Sequence, residues 1–244
     1  MKTVVITGCN RGLGLTLLDR FAAQQHNIIA ITRCPDSSFM DHCHTVAMQN
    51  NVDITHHHCD LTDHDALDHM LNDIEASEAE IDILVNNAAI NQMKPLAYVD
   101  YDDLQTTFQT NYFAPVIITR RMAMLMMRRG SGAIVNITST GSLGAQPGGT
   151  LYDASKAALN QFTRTLGQEL ASFGIRVNAV ACGPIATDMF GQLSDKVQQK
   201  LVKSTAMKRA ATPDEIADTV LYLASSRATY ITGQIIPVDG GSII

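Results

Sequence analysis

Thr3-Val4-Val5-Ile6-Thr7-Gly8-Cys9-Asn10-Arg11-Gly12-Leu13-Gly14 is the stretch that decides the fold. Its first half is a short apolar run closed by a glycine, as in a strand buried on both faces of a parallel sheet. Its second half opens a helix, because Leu13, Leu17, Leu18 and Phe21 recur at helical spacing, and a second strand-like run follows from Asn27 to Thr32. Together these pieces make a β-α-β unit. The pattern returns with strand-like runs at Asp53 to His58, Ile81 to Asn86, Ala133 to Thr138, Ile175 to Ala181 and Ile235 to Val238, separated by helix-like segments. Parallel neighbours need long right-handed crossovers, so the sequence predicts an α/β fold: a single Rossmann-like, doubly wound parallel sheet of about seven strands with helices on both faces. No linker-like stretch, charge run or repeat breaks the alternation, and a single domain over residues 1–244 is expected.

Composition narrows the function classes. Hydrophobic residues make up 45% of the chain and aromatics 5%, with no Trp, so the core should be aliphatic. Net charge is −6 and the basic residues are scattered, which predicts neither a nucleic-acid partner nor binding to a membrane surface. Strand-like residues begin near Met1 and no apolar run is long enough to span a bilayer. Five cysteines at irregular spacings (Cys9, Cys34, Cys43, Cys59, Cys182) fit free thiols and a cytoplasmic location.

Gly8, Gly12 and Gly14 lie where the first strand becomes the first helix. Side chains there would hinder the tight turn, or the approach of a pyrophosphate to helix N–H groups that favour anions. A glycine trio alone also fits an ordinary strand-helix turn, but its place after the first strand favours nucleotide binding. The spacing TGxxxGxG resembles that of the short-chain dehydrogenase/reductase family, and the likeness extends through Asp60-Leu61, Asn86-Asn87-Ala88-Ala89, Asn111, Ser139, Tyr152-Asp153-Ala154-Ser155-Lys156, Gly183-Pro184-Ile185-Ala186-Thr187 and Val238-Asp239-Gly240-Gly241.

That resemblance implies a nicotinamide dinucleotide held by Gly8, Asn10, Arg11, Gly12, Leu13, Gly14, Asp60, Leu61, Asn87, Ala88, Ala89, Gly183, Pro184, Ile185 and Thr187. Within this set, Asp60 would hold the adenine edge, the backbone of Asn87 and Ala88 would line the ribose, and Thr187 would meet the nicotinamide carboxamide. Enzymes that prefer NAD carry an acid near the end of the second strand. Here that place reads Ile31-Thr32-Arg33, and the first acid, Asp36, lies beyond Pro35. Arg33 with Arg11 would make a guanidinium fork suited to a 2′-phosphate, so NADPH/NADP+ is favoured over NADH.

Tyr152 and Lys156 are four residues apart in a helical pattern and therefore share a face. A cation beside a phenol stabilises its anion, so Lys156 is expected to pull the Tyr152 pKa down towards neutrality. Ser139 ends a strand at the ligand-binding edge, where its hydroxyl can polarise a carbonyl, with Ser142 and Thr138 as competitors. Asn111 precedes Pro115 by four in a helical pattern starting near Tyr101, so its carbonyl loses a helical partner and a kink is expected. By resemblance, Asn111, Ser139, Tyr152 and Lys156 form the catalytic set. Lys156 would also hold the nicotinamide ribose beside Tyr152, and the Asn111 backbone would support a water-linked proton path.

The expected reaction is reduction of a ketone to a secondary alcohol. The resemblance implies a lid over the substrate in the segment about 188–210, whose Phe190, Leu193, Val197, Leu201 and Val202 suit a partly aliphatic substrate, while the same residues equally fit an amphipathic helix pair packed on the core. The overall pattern is most similar to 3-oxoacyl-ACP reductases, which implies an acyl-thioester substrate and an acyl carrier protein as partner. Arg128 and Arg129 suit docking of an acidic carrier, whereas Phe173 stands where a second basic residue is expected. Cys182-Gly183 replaces the family's Pro-Gly, and Cys182 is expected only to alter the stiffness of a turn. Other small-molecule substrates (a sugar, polyol, steroid or small ketone) and a non-catalytic nucleotide-binding scaffold are the alternatives. The resemblance further implies a homotetramer or homodimer built through the helices carrying Asn111 and Tyr152. Cys34, His42, Cys43, His44, His56, His57, His58 and Cys59 form an unusual segment, but consecutive histidines in a strand alternate faces and no CxxC or HxxxH spacing occurs, so no metal site is predicted.

Overall fold

The computed structural model describes residues 1–242 apart from Pro35 and Glu78. The strands are β1 (Lys2–Thr7), β2 (His26–Thr32), β3 (Ile54–His58), β4 (Ile83–Asn86), β5 (Gly132–Ser139), β6 (Ile175–Cys182) and β7 (Ile235–Val238). They form one sheet in the order β3-β2-β1-β4-β5-β6-β7, and every neighbouring pair is parallel. The helices are α1 (Gly12–Ala23), α2 (Ser37–Asn50), α3 (His64–Ala76), α4 (Tyr101–Phe108), α5 (Ala114–Arg129), α6 (Tyr152–Glu169), α7 (Asp188–Gly191), α8 (Asp195–Ser204) and α9 (Pro213–Ala224).

Alternation along β1 shows why helices cover both faces. Val4 and Ile6 enter one core with Leu17 and Phe21 of α1, Phe39 of α2 and Val220 of α9, whereas Val5 enters the other with Leu71 of α3 and Met122 of α5. Val4, Val5 and Ile6 are completely buried, and each such side chain contributes roughly 1.5–3 kcal/mol through burial. The same division holds for Ile28 and Ala30 against Ile29 and Ile31 on β2. A strand apolar on both sides is thereby made insoluble alone and stable between two helical layers.

Strand order reverses between β1 and β4, which opens a crevice at their carboxyl ends. Some boundaries differ from the periodicity. β4 begins at Ile83; just before it, the Asp82 side chain accepts from the Thr3 amide at 2.8 Å and Ile81 is buried. β5 and β6 each run one residue further than expected, and Ser139 and Cys182 are register partners at their ends. Where the sequence predicts a kink at Asn111, the structure has a π-helical segment, Gln109–Phe113, that joins α4 to α5 without a break. Such wider turns re-route backbone hydrogen bonds within a continuing helix.

Candidate active site

At the crevice, Thr7 ends β1 with its hydroxyl accepting from the backbone amides of Asn87 and Ala88, both at 3.0 Å. The Asn87 side chain returns two hydrogen bonds, to the carbonyls of Thr7 and Gly8, each 3.0 Å. The turn after β1 and the loop after β4 are thus clamped together. Gly8 has φ +69°, and a Cβ there would come within 2.8 Å of the Ala88 Cα; a Cβ on Gly14 would meet the Gly8 carbonyl oxygen at 2.0 Å. Two of the three glycines are required by the protein's own packing. At Gly12, φ is +53° and a Cβ would face Thr187 at 3.3 Å, so the turn lies close to the segment after β6.

Helix starts differ in how they are completed. α2, α3, α4 and α9 each receive a side-chain N-cap, from Asp36, Asp63, Asp100 and Thr212. The start of α1 has no side-chain cap and no acid in its first turn. Its free N–H groups, at the carboxyl edge of β1, suit the pyrophosphate of a dinucleotide. Asn10 donates to the Cys34 carbonyl at 3.4 Å, which brings the α1 turn to the end of β2, and Arg11 and Arg33 are both exposed. Asp36 is occupied as the α2 cap, accepting from the Phe39 amide and the Ser38 hydroxyl. The Thr62 amide and hydroxyl hold the Asp60 carboxyl below its usual range, with the charge of Arg33 adding to the effect. Leu61 is buried in the second core. Beyond β6, Pro184 and Ile185 are anchored to Ala211, and a Cβ on Gly183 would lie 2.7 Å from the Asp239 Cα. Ala89 lies half-buried just beyond the clamped loop.

The other half of the crevice is built from β5 and α6. Tyr152 and Lys156 share the inward face of α6, with the Lys156 Nζ 5.9 Å from the Tyr152 ring centre. Lys156 is buried and donates to the Ile137 carbonyl at 2.8 Å. Burial pushes its pKa down from 10.5 to about 8. For Tyr152 the outcome differs from the sequence expectation. Burial raises the phenol's pKa, the neighbouring Cys182 and Asp153 push the same way, and a hydrogen bond with Ser139 is the opposing influence. The ammonium is spent on a backbone carbonyl, and desolvation of the phenolate wins.

Among the hydroxyls at the end of β5, Thr138 donates to the Val180 carbonyl and Ser142 to the Ser139 carbonyl. Ser139 accepts from the Gly141 amide at 3.1 Å and is the hydroxyl that meets Tyr152. Asn111 is buried, with its side chain donating to the Ile90 carbonyl and the Ser155 hydroxyl and accepting from the Ile90 amide. It ties the loop after β4 to α6. Cys182 corrects another expectation: it ends β6 as a buried strand residue near Tyr152 and Lys156, and burial pushes its thiol up to about 12. Sequence reasoning missed the clamping roles of Thr7 and the Asn87 side chain; a threonine closing an otherwise apolar strand was the available signal.

The histidine-rich segment is absorbed locally. His42 pairs with Asp19 at 2.7 Å and His56 with Thr32 at 2.8 Å. Among the described residues no three His, Cys, Asp or Glu side chains converge on one point. Nor is any helix among them long and apolar enough to cross a membrane.

Residues 8–242 match the family model described as enoyl-(acyl carrier protein) reductase. The chain is 32% identical over 240 residues to a 3-oxoacyl-acyl-carrier-protein reductase of Chlamydia trachomatis, covering 98% of this chain and 96% of that protein. Among solved structures, one designated an NAD(P)-dependent gluconate 5-dehydrogenase, from Beutenbergia cavernae with bound NADP, superposes with a TM-score of 0.93 at 28% identity, covering 99% of this chain and 96% of its own. A 4-hydroxyisoleucine dehydrogenase complexed with NADH gives 0.91 at 27% identity, covering 100% and 99%. With the fold, the crevice and the relatives in agreement, the chain belongs to the short-chain dehydrogenase/reductase family of NAD(P)-binding oxidoreductases that act between an alcohol and a carbonyl.

Proposed function

We propose that this chain is an NADPH-dependent reductase that converts a ketone into a secondary alcohol, with 3-oxoacyl thioesters as its preferred class. The observation that carries the reading is the grouping of Ser139, Tyr152 and Lys156 at the carboxyl edge, across the crevice from the uncapped start of α1. The reduced nicotinamide, when bound, supplies the hydride. Tyr152 gives its hydroxyl proton to the substrate oxygen, and a raised pKa keeps that proton in place at neutral pH. Ser139 donates to the same oxygen as it gains negative charge. Lys156 holds the nicotinamide ribose, and the Asn111 carbonyl supports the return of protons from solvent.

The α1 start, with Gly8, Asn10, Gly12, Leu13 and Gly14, holds the pyrophosphate. Asp60 and the backbone of Leu61 meet the adenine; Asn87, Ala88 and Ala89 line the ribose; Gly183, Pro184, Ile185 and Thr187 face the nicotinamide. Exposed Arg11 and Arg33 favour a 2′-phosphate over a free ribose hydroxyl. The single domain carries its lid at about 188–210, where α7 and α8 contribute no buried side chain. The relatives' names support the acyl-thioester reading, and an acyl carrier protein would dock beside Arg128. Arg129 is instead paired with Glu80 and Asp82, which weakens its part in docking. Exposed Tyr101 at the start of α4 and Phe113 beside Asn111 suit assembly into a homotetramer or homodimer, and five free thiols suit the cytoplasm.

A second reading, oxidation or reduction of a small hydroxy acid or sugar acid, is favoured by the close superposition on the two dehydrogenases. The deciding experiment follows loss of NADPH absorbance against 3-oxoacyl thioesters, hydroxy-acid ketones and simple ketones, with NADH in parallel. Faster turnover of thioesters with NADPH is expected. Tight NADPH binding without turnover of any member would overturn the reading in favour of a scaffold.

A further inference from the structure

We infer that Asn160 is a positioning residue for the carbonyl donor Ser139, acting through the hydroxyl of Ser142. This goes beyond the reading of Ser139 as substrate donor and rests on it. Asn160 lies one helical turn after Lys156 on the buried face of α6, and its Nδ2 donates to the Ser142 Oγ at 2.7 Å. Ser142 in turn donates to the carbonyl of Ser139. A three-residue chain of hydrogen bonds thereby fixes the end of β5 to the helix that carries Tyr152 and Lys156.

The direction of this relay follows from counting protons. The Ser142 hydroxyl has one proton, and that proton is committed to the Ser139 carbonyl, so its other partner must donate. Among the described residues that donor is the amide nitrogen of Asn160, which leaves the Asn160 Oδ1 buried without a hydrogen-bond partner there. A buried acceptor left without a partner is costly, so a leucine of similar size would pack there at no such penalty. What the amide supplies is the lock on the turn after β5. That turn also sets the Ser139 hydroxyl, through the Gly141 amide at 3.1 Å, and hence its meeting with Tyr152. Donors that stabilise developing charge work only when held in place beforehand.

The test compares Asn160→Asp, Asn160→Leu and Ser142→Ala, each alone and in a Ser139→Ala background, with Ser139→Ala by itself, using the best ketone of the panel. Asn160→Asp keeps the shape but replaces the donor by an acceptor, and Ser142→Ala breaks the same relay from a half-buried turn should a helix variant fold poorly. Each relay variant should lower kcat about tenfold, with NADPH affinity unchanged and KM within about twofold. In the Ser139→Ala background the same substitutions should cost nothing more, because the group they position is gone. Additive losses, or relay variants with wild-type kcat, overturn the role of Asn160 while leaving Ser139 standing. If Ser139→Ala itself leaves kcat intact, or the wild type reduces no ketone, the parent reading fails and this inference with it.

Discussion

Replacing Lys156 by Met should stabilise the cofactor-free protein while abolishing its activity. Lys156 is 2% exposed, and burial depresses its pKa from 10.5 to about 8. At about 1.4 kcal/mol per unit, holding the ammonium in the folded state costs about 3 kcal/mol. Met fills similar volume without charge, but it leaves the Ile137 carbonyl without its donor, a loss of about 1 kcal/mol. The net gain of about 2 kcal/mol corresponds to a rise in Tm of about 4–8 °C for a chain of this length. The sign can be checked by pH. Between about pH 8 and 10.5 the unfolded chain keeps the Lys156 proton that the folded chain has released, so wild-type stability rises with pH in that window. The advantage of Lys156→Met should therefore be greatest below pH 8 and fade as pH approaches 10.5. Thermal unfolding of both proteins at pH 7 and pH 9.5, without cofactor, measures it. A lower Tm for Lys156→Met at pH 7, or a gap indifferent to pH, would refute the reasoning.

Tyr152→Phe should lower turnover about 10²- to 10⁴-fold with NADPH binding retained, as read by ketone reduction beside cofactor fluorescence titration. Arg11→Ala with Arg33→Ala should erase the preference for NADPH over NADH, and an unchanged ratio of kcat/KM values would rule out a 2′-phosphate contact. Gly14→Ala should destabilise the fold by more than 2 kcal/mol, because its methyl would sit 2.0 Å from the Gly8 carbonyl oxygen; urea unfolding gives the value. Cys34 is the exposed thiol and the other four are buried, so Ellman's reagent should react quickly with one thiol per native chain and more slowly when NADP+ is present.

The sheet was legible because its central strands are apolar on both faces and end in turn chemistry, whereas the edge strand β3, Ile54-Thr55-His56-His57-His58, is mostly polar. The crevice was legible because Gly8 and Gly14 admit no side chain and their spacing falls where the first strand turns into the first helix. What escaped the sequence were the electrostatic outcomes. Tyr152 and Lys156 stand four apart as their pattern requires, yet which of them gains from the other depends on burial and on the Ile137 carbonyl, both set by residues distant along the chain. Cys182 was misplaced for a similar reason: a strand that runs one residue further turns a presumed loop thiol inward. Asn160 gave no signal because a polar residue on a helix reads as solvent-facing until the packing of α6 against β5 is known.

The clamp between Thr7 and Asn87 bears on how a dinucleotide arrives. Its four hydrogen bonds join the two loops that flank the strand-order reversal, and they are made entirely by protein groups. That wall needs no ordering on capture, so little affinity is lost to freezing loops and encounter can proceed at rates set by diffusion and orientation. The thinly packed stretch around α7 and α8, which buries no side chain, is by contrast free to rearrange at small cost.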